Sequence, residues 1–200
     1  MKKATILSIF LLIAYFLFTT HAQADIIIGF DPMSQQVRVG DPASVELFID
    51  GLEAFGQPSL STFDLDVIYD PTILDFPAVT FGDPLLGDQL DLFGLGSLTA
   101  SDDSVPGRVN LFELSLELPF DLDTFQEGGF TLATLTFDTL AVGTSSLDIS
   151  INSLGDAFGD PLFADVQSGS ISAVPEPATI LLIGSGLAGL VGLRKRFRRS

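Results

Sequence analysis

Phe63-Asp64-Leu65-Asp66-Val67-Ile68-Tyr69-Asp70-Pro71 is the stretch whose reading decides the fold. Phe63, Leu65, Val67 and Tyr69 alternate with Asp64, Asp66 and Ile68. A period of two places the two sets on opposite faces of an extended strand. One face seeks an apolar core and the other keeps its carboxylates in water. Asp70-Pro71 then closes the strand, because Asp accepts backbone N–H bonds and Pro fixes φ for a turn.

The same period recurs on either side. Ala43, Val45, Leu47 and Ile49 alternate with Ser44, Glu46, Phe48 and Asp50, and Leu147, Ile149 and Ile151 alternate with Ser146, Asp148 and Ser150. Asp-Pro turns punctuate the chain at residues 31–32, 41–42, 70–71, 83–84 and 160–161. Strands are predicted near 25–30, 36–39, 43–49, 61–69, 79–81, 96–100, 108–118, 131–137, 145–151 and 169–173. In the long strand at 108–118, Val109 and Leu111 share one parity while Phe112, Leu114, Leu116 and Leu118 share the other. A bulge near Leu111-Phe112 would keep both sets inward. Residues 82–98 and 152–167 read as Asp- and Gly-rich loops. No amphipathic helix of ordinary length lies between the two ends of the chain, so the class is all-β, a sandwich. Phe63, Leu65, Val67, Tyr69, Ala133, Leu135 and Phe137 are expected to point inward.

The two ends read differently. Lys2 and Lys3 precede an apolar run from Ala4 to Phe18, and Ala22 and Ala24 supply the small residues of a cleavage site. Residues 1–24 are therefore a signal peptide, cut after Ala24. At the other end, Val174-Pro175-Glu176-Pro177 makes a stiff extended strap, since each proline fixes φ and biases its neighbour away from helix. Residues 178–193 carry no charge and end in Arg194, Lys195, Arg196, Arg198 and Arg199. As a helix this run would be about 25 Å long, the short end of a transmembrane span. The basic cluster places its own side in the cytoplasm and everything before the span outside it.

Between the ends, composition excludes much. All 26 acidic residues lie between Asp25 and Leu193, where only Arg38 and Arg108 oppose them, a net charge of −24. That surface repels nucleic acid. There is no Cys, and the only His, His21, lies in the signal peptide. Disulfides, thiolate nucleophiles, histidine-based triads and ordinary zinc sites are all excluded. The domain at 25–173 is long enough to bury a core without covalent staples. Asp64/Asp66, Asp102/Asp103 and Asp121/Asp123 are the carboxylate pairs a glycoside hydrolase could use. Solvated acids on an outer face explain them equally well, and the domain is expected not to be an enzyme. Calcium is the one cofactor the acids suggest, because it takes several oxygen ligands from loops. The candidates are Asp83, Asp88 and Asp91 in the first loop and Asp156, Asp160 and Asp165 in the second.

Two resemblances follow from these residues. Val39-Gly40-Asp41, the 63–74 strand and turn ending in Leu74, Gly129-x-x-Leu132-Ala133-x-Leu135-x-Phe137 and Val142-Gly143-Thr144-x-x-Leu147 together resemble a cohesin domain. That resemblance implies a jelly-roll β-sandwich of about nine strands and binding to a protein partner by one sheet face, for which Phe48 and Ile68, apolar on polar faces, are suited. The tail at 174–200 resembles the PEP-CTERM sorting signal of bacteria that make exopolysaccharide or biofilm. That resemblance implies recognition by an exosortase at the inner membrane, cleavage near Pro-Glu-Pro, and delivery to the cell surface or extracellular matrix. An unprocessed anchor would need no Pro-Glu-Pro and would usually be longer. A carbohydrate-binding or adhesion module is the alternative role for the domain. The absence of Trp and the presence of a single Tyr in the domain weaken it, because ring-stacking sites favour those residues.

Overall fold

The computed structural model describes residues 25–176. The signal peptide with Ala22 and Ala24, Pro177, the apolar run at 178–193 and the basic residues 194–199 lie outside the described residues. Within them, no helix is long and apolar enough to cross a membrane.

Eleven strands and one short helix follow in order: β1 (Ile26–Asp31), β2 (Ser34–Arg38), β3 (Pro42–Asp50), β4 (Thr62–Ile68), β5 (Leu74–Phe81), β6 (Ser97–Val105), β7 (Arg108–Ser115), α1 (Pro119–Phe125), β8 (Gly129–Thr139), β9 (Gly143–Gly155), β10 (Ala164–Val166) and β11 (Gly169–Val174). They form two sheets, β10-β1-β3-β8-β5 and β2-β11-β9-β4-β7-β6. Most pairs are antiparallel, but β10 runs parallel to β1 and β11 parallel to β2. The all-β class and the sandwich are as the sequence predicts. β10 and α1 are additional, β5 begins at Leu74 rather than Val79, and β7 stops at Ser115.

The alternation explains the core. Phe63, Leu65 and Val67 of β4 are fully buried, as are Leu47 and Ile49 of β3 and Leu135 and Phe137 of β8. Aromatic contacts tie the sheets together: Phe63 meets Phe81 at 6.3 Å between ring centroids, and Tyr69 meets the edge of Phe137 at 5.3 Å. Pro42 and Pro77 sit where a missing N–H is tolerated, at the first residue of β3 and within edge strand β5.

The predicted bulge at Leu111-Phe112 is absent. β7 keeps regular register with β4 from Arg108 to Leu114. The inward parity simply continues through Val109 and Leu111 to Glu113, which is fully buried, while Phe112 and Leu114 are only half-buried and Leu116 and Leu118 are exposed. Bulges occur elsewhere. One lies opposite Leu47/Phe48 and lets both Leu132 and Ala133 of β8 face inward. Another, opposite Asp64/Leu65, leaves Asn152 as the extra residue of β9.

Because Leu65 is fully buried at the centre of this core, Leu65→Ala should lower the unfolding free energy by about 2–5 kcal/mol in urea denaturation of the exported domain. A loss near zero would contradict the burial described here.

Candidate functional site

The sandwich has two unlike ends. At the first, the chain leaves through Val174, which pairs with Arg38 of β2. Turns here are tightly bonded. Val39 N–H donates to the Val174 carbonyl at 3.0 Å, and Gly40 N–H to the Thr139 carbonyl at 3.1 Å. In the turn after β4, Asp70 Oδ1 accepts the Thr72 N–H at 2.9 Å and its hydroxyl at 2.6 Å, and these bonds hold the Asp70 carboxyl below its ordinary pKa. Gly107 packs against this turn with φ +81°, and a Cβ there would come within 2.9 Å of the Tyr69 carbonyl, so only glycine fits. Both cations of the domain belong to this end: Arg38 pairs with Val174, and Arg108 with Ile68. Val174 closes β11, and Pro175 and Glu176 are exposed beyond it, as an extended strap requires.

The far end gathers the loops and α1. Pro119 opens this helix, where its missing N–H costs nothing, and Leu122 is its buried anchor. Gln126 follows and is buried. Its Oε1 accepts the Leu60 N–H at 2.6 Å, while its amide donates to the Leu60 carbonyl at 2.8 Å. One side chain thus pairs both backbone groups of Leu60, as a neighbouring strand would. Glu117 Oε1 accepts the N–H groups of Phe93 and Leu95 at 2.8 and 3.3 Å, tying the 82–96 loop to the chain before α1.

The calcium candidates build these loops. Asp83 Oδ1 accepts the Leu85 and Leu86 N–H groups, Asp88 Oδ1 that of Leu90, and Asp91 Oδ1 that of Gly96. Asp156 Oδ1 accepts the N–H groups of Phe158 and Asp160. The predicted 152–167 loop is interrupted by the end of β9 and by β10, and Asp165 lies in β10 rather than in a loop. Among the described residues no three acidic side chains converge as a metal centre would need.

Glu113 is the acid that the sequence reading missed. It is fully buried, and its Oε1 accepts the Ser97 hydroxyl at 2.5 Å. The Asp88 and Asp91 carboxyls lie nearby. Desolvation, followed by the effect of Asp88 and Asp91, pushes the Glu113 carboxyl up to about 8, while Ser97 opposes the shift. Glu113 Oε2 is buried without a hydrogen-bond partner, so the carboxyl keeps its proton at neutral pH. Nothing in local sequence separates this residue from a surface Glu.

The outer face of the six-stranded sheet carries a polar network. Asn110 Nδ2 donates to Asp64 Oδ1 at 2.6 Å and to Asp66 Oδ1 at 2.9 Å. Arg108 stands 3.4 Å from Asp66, and the bulged Asn152 donates to Asp64 at 3.1 Å. The Asp64/Asp66 pair is thus knitted into its own sheet. On the other sheet, Phe48 lies over Gly29, where a Cβ would meet its ring at 3.1 Å. It lines an open groove of about 530 Å³ with Met33, Glu46 and Phe130. Ile68 is exposed at the exit end.

The comparisons with known proteins agree with this architecture. The structure is similar to the sixth cohesin of scaffoldin B from Acetivibrio cellulolyticus, solved in complex with a mutant Cel5 dockerin, at a TM-score of 0.58 and 18% identity, covering 75% of this chain and 99% of that one. It is similar to the seventh type I cohesin of ScaB from Pseudobacteroides cellulosolvens (TM-score 0.59, 18% identity, 76% and 94% covered) and to a non-cellulosomal cohesin from the archaeon Archaeoglobus fulgidus (0.55, 17%, 79% and 96%). The fold is a cohesin-type jelly roll. Residues 173–199 match the PEP-CTERM protein-sorting motif, which marks the chain as an exported exosortase substrate. No protein of curated function matches the sequence.

Glu113 gives the domain a pH signature. Its folded-state pKa of about 8 exceeds its ordinary value of 4.5, so the folded state binds more protons between those limits and stability falls as pH rises through them. Glu113→Gln should remove this slope and leave the variant more stable than the parent at pH 8.5, measured as urea midpoints from pH 5.5 to 8.5. An unchanged slope would show that another group sets it.

Proposed function

We propose that this chain is an exported, exosortase-sorted protein of the cell surface or exopolysaccharide matrix whose β-sandwich acts there as a structural or protein-binding module without catalytic activity. The observation that carries this reading is the continuity of fold and sorting motif. The motif begins at Ala173, inside β11, and β11 is bonded between β2 and β9. The strap after Val174 is only a few residues long, so the exit end faces the membrane until the tail is removed. The far end is presented outward. Both cations of the domain, Arg38 and Arg108, lie at this exit end, Arg108 beside Asp66.

A protein partner is favoured over a glycan because Tyr69, the one ring with a polar handle in the domain, is buried in the core. The solved relatives include a cohesin in complex with a dockerin, which supports a protein ligand without identifying one for this chain.

Replacing Pro175, Glu176 and Pro177 together by Ala tests the sorting step. Alanine favours helix and would let the membrane segment extend upward through the strap. In the producing organism the wild type should appear shortened by about 25 residues and released from the inner membrane, whereas the variant should remain full length and membrane-bound. Identical processing of the two, read by mass spectrometry of the C-terminus, would leave a plain anchor in place of a sorting signal.

A further inference from the structure

All six strongly exposed phenylalanines of the described residues lie at the far end: Phe55, Phe93, Phe120, Phe125, Phe158 and Phe163, between 47% and 85% exposed. They come from three separate loops and α1. Phe93 and Phe125 stack edge to face at 5.3 Å, which joins the 82–96 loop to the helix. Leu95, Leu116 and Leu118 are exposed beside them, on the segments that Glu117 and the Leu116 N–H bond to Gly96 hold together. Among the described residues the exit end exposes aliphatics such as Leu140 and Val142 but no aromatic ring. Single exposed apolar residues are ordinary, whereas exposed rings gathered at one end of a domain, with Phe93 and Phe125 in direct contact, mark a contact site.

Charge specifies the occupant. Among the described residues the far end has no Lys or Arg, since Arg38 and Arg108 sit at the exit end. The exposed acids at this end are Glu53, Glu127 and Asp160, with half-exposed Asp121 on α1. A second copy of this chain would bring the same acids into contact. An anionic bilayer would be repelled and lies on the opposite side of the domain. We propose that the far end docks a basic segment with an apolar face belonging to another protein, its Lys or Arg residues meeting the acids while its apolar side chains cover the phenylalanines. This deepens the protein-binding reading above and rests on it. It assigns the contact to the loop end rather than to a sheet face.

Photo-cross-linking in the producing organism tests the proposal on the full chain. p-Benzoylphenylalanine is placed at Phe120 on the far end and, separately, at Ser150, exposed on the outer face of the six-stranded sheet. The expected result is an adduct from Phe120 whose partner peptide, sequenced by mass spectrometry, is rich in both Lys or Arg and apolar residues. Leu118→Lys should abolish that adduct without harming the fold. It removes an apolar contact and sets a like charge against the basic segment, and Leu118 makes no side-chain cap bond that would be lost. A lipid adduct, a second copy of this chain, an acidic partner peptide or an adduct unaffected by Leu118→Lys would each overturn the proposal. An adduct from Ser150 alone would overturn it while keeping the protein-binding reading, and no protein adduct from either position would remove both.

Discussion

The rest of the structure depends on one constraint: an acidic chain with almost no cations must hold two sheets together mainly by apolar contact, with few hydrogen bonds between them such as Thr139 to the Arg38 carbonyl. With a net charge of −24 and no disulfide, the domain gains little from ion pairing; the one ion pair among the described residues is Arg108 with Asp66. The core therefore carries the stability, through fully buried aliphatics and through ring contacts such as Tyr69 with Phe137 and Phe76 with Phe137. Apart from Glu113 of β7, the strands turn their carboxylates to water on the opposite parity. The same alternation that builds the core thus keeps like charges solvated, where they repel least.

Departures from that alternation lie next to the features that give the surface its character. The bulge at Asn152 brings its amide onto Asp64, completing the network with Asn110 on the outer sheet face. The regular register of β7 does the reverse. It carries Glu113 into the interior, where the carboxyl is accommodated by keeping its proton and meeting Ser97. Ser97 of β6 meets only one of the carboxyl's two oxygens, while Ser115 at the end of β7 donates to the Leu90 carbonyl and ties the 82–96 loop to that strand. Glu117 and Gln126 extend the same arrangement by bonding the backbone of Phe93, Leu95 and Leu60.

The two ends of the sandwich divide the work. At the exit end, β11 passes directly into the sorting motif, with the domain's two arginines close by. At the far end, loops stiffened by Asp83, Asp88, Asp91 and Asp156 present phenylalanines outward. Those aspartates serve the backbone N–H groups of their own turns, which is the role short acidic side chains fill in loops.

The sequence alone determined the features that are local and periodic. Parity along Phe63 to Tyr69 is a property of the extended backbone, so the inward set was legible without any partner strand. Asp70-Pro71 announced its turn by chemistry confined to three residues, and Val174-Pro175-Glu176-Pro177 with the apolar and basic tail declared the sorting motif by order alone. Tertiary structure decided what depends on pairing register. Whether Glu113 or Phe112 faces inward turns on which residue of β4 lies opposite, and both parities of that strand offer apolar residues. The α1 turn was hidden because seven residues show too little helical period to distinguish from a strand end. The aromatic end surface was invisible for the same reason: Phe55, Phe93, Phe120 and Phe158 are far apart in sequence, and only the folding of two sheets brings their loops to one end.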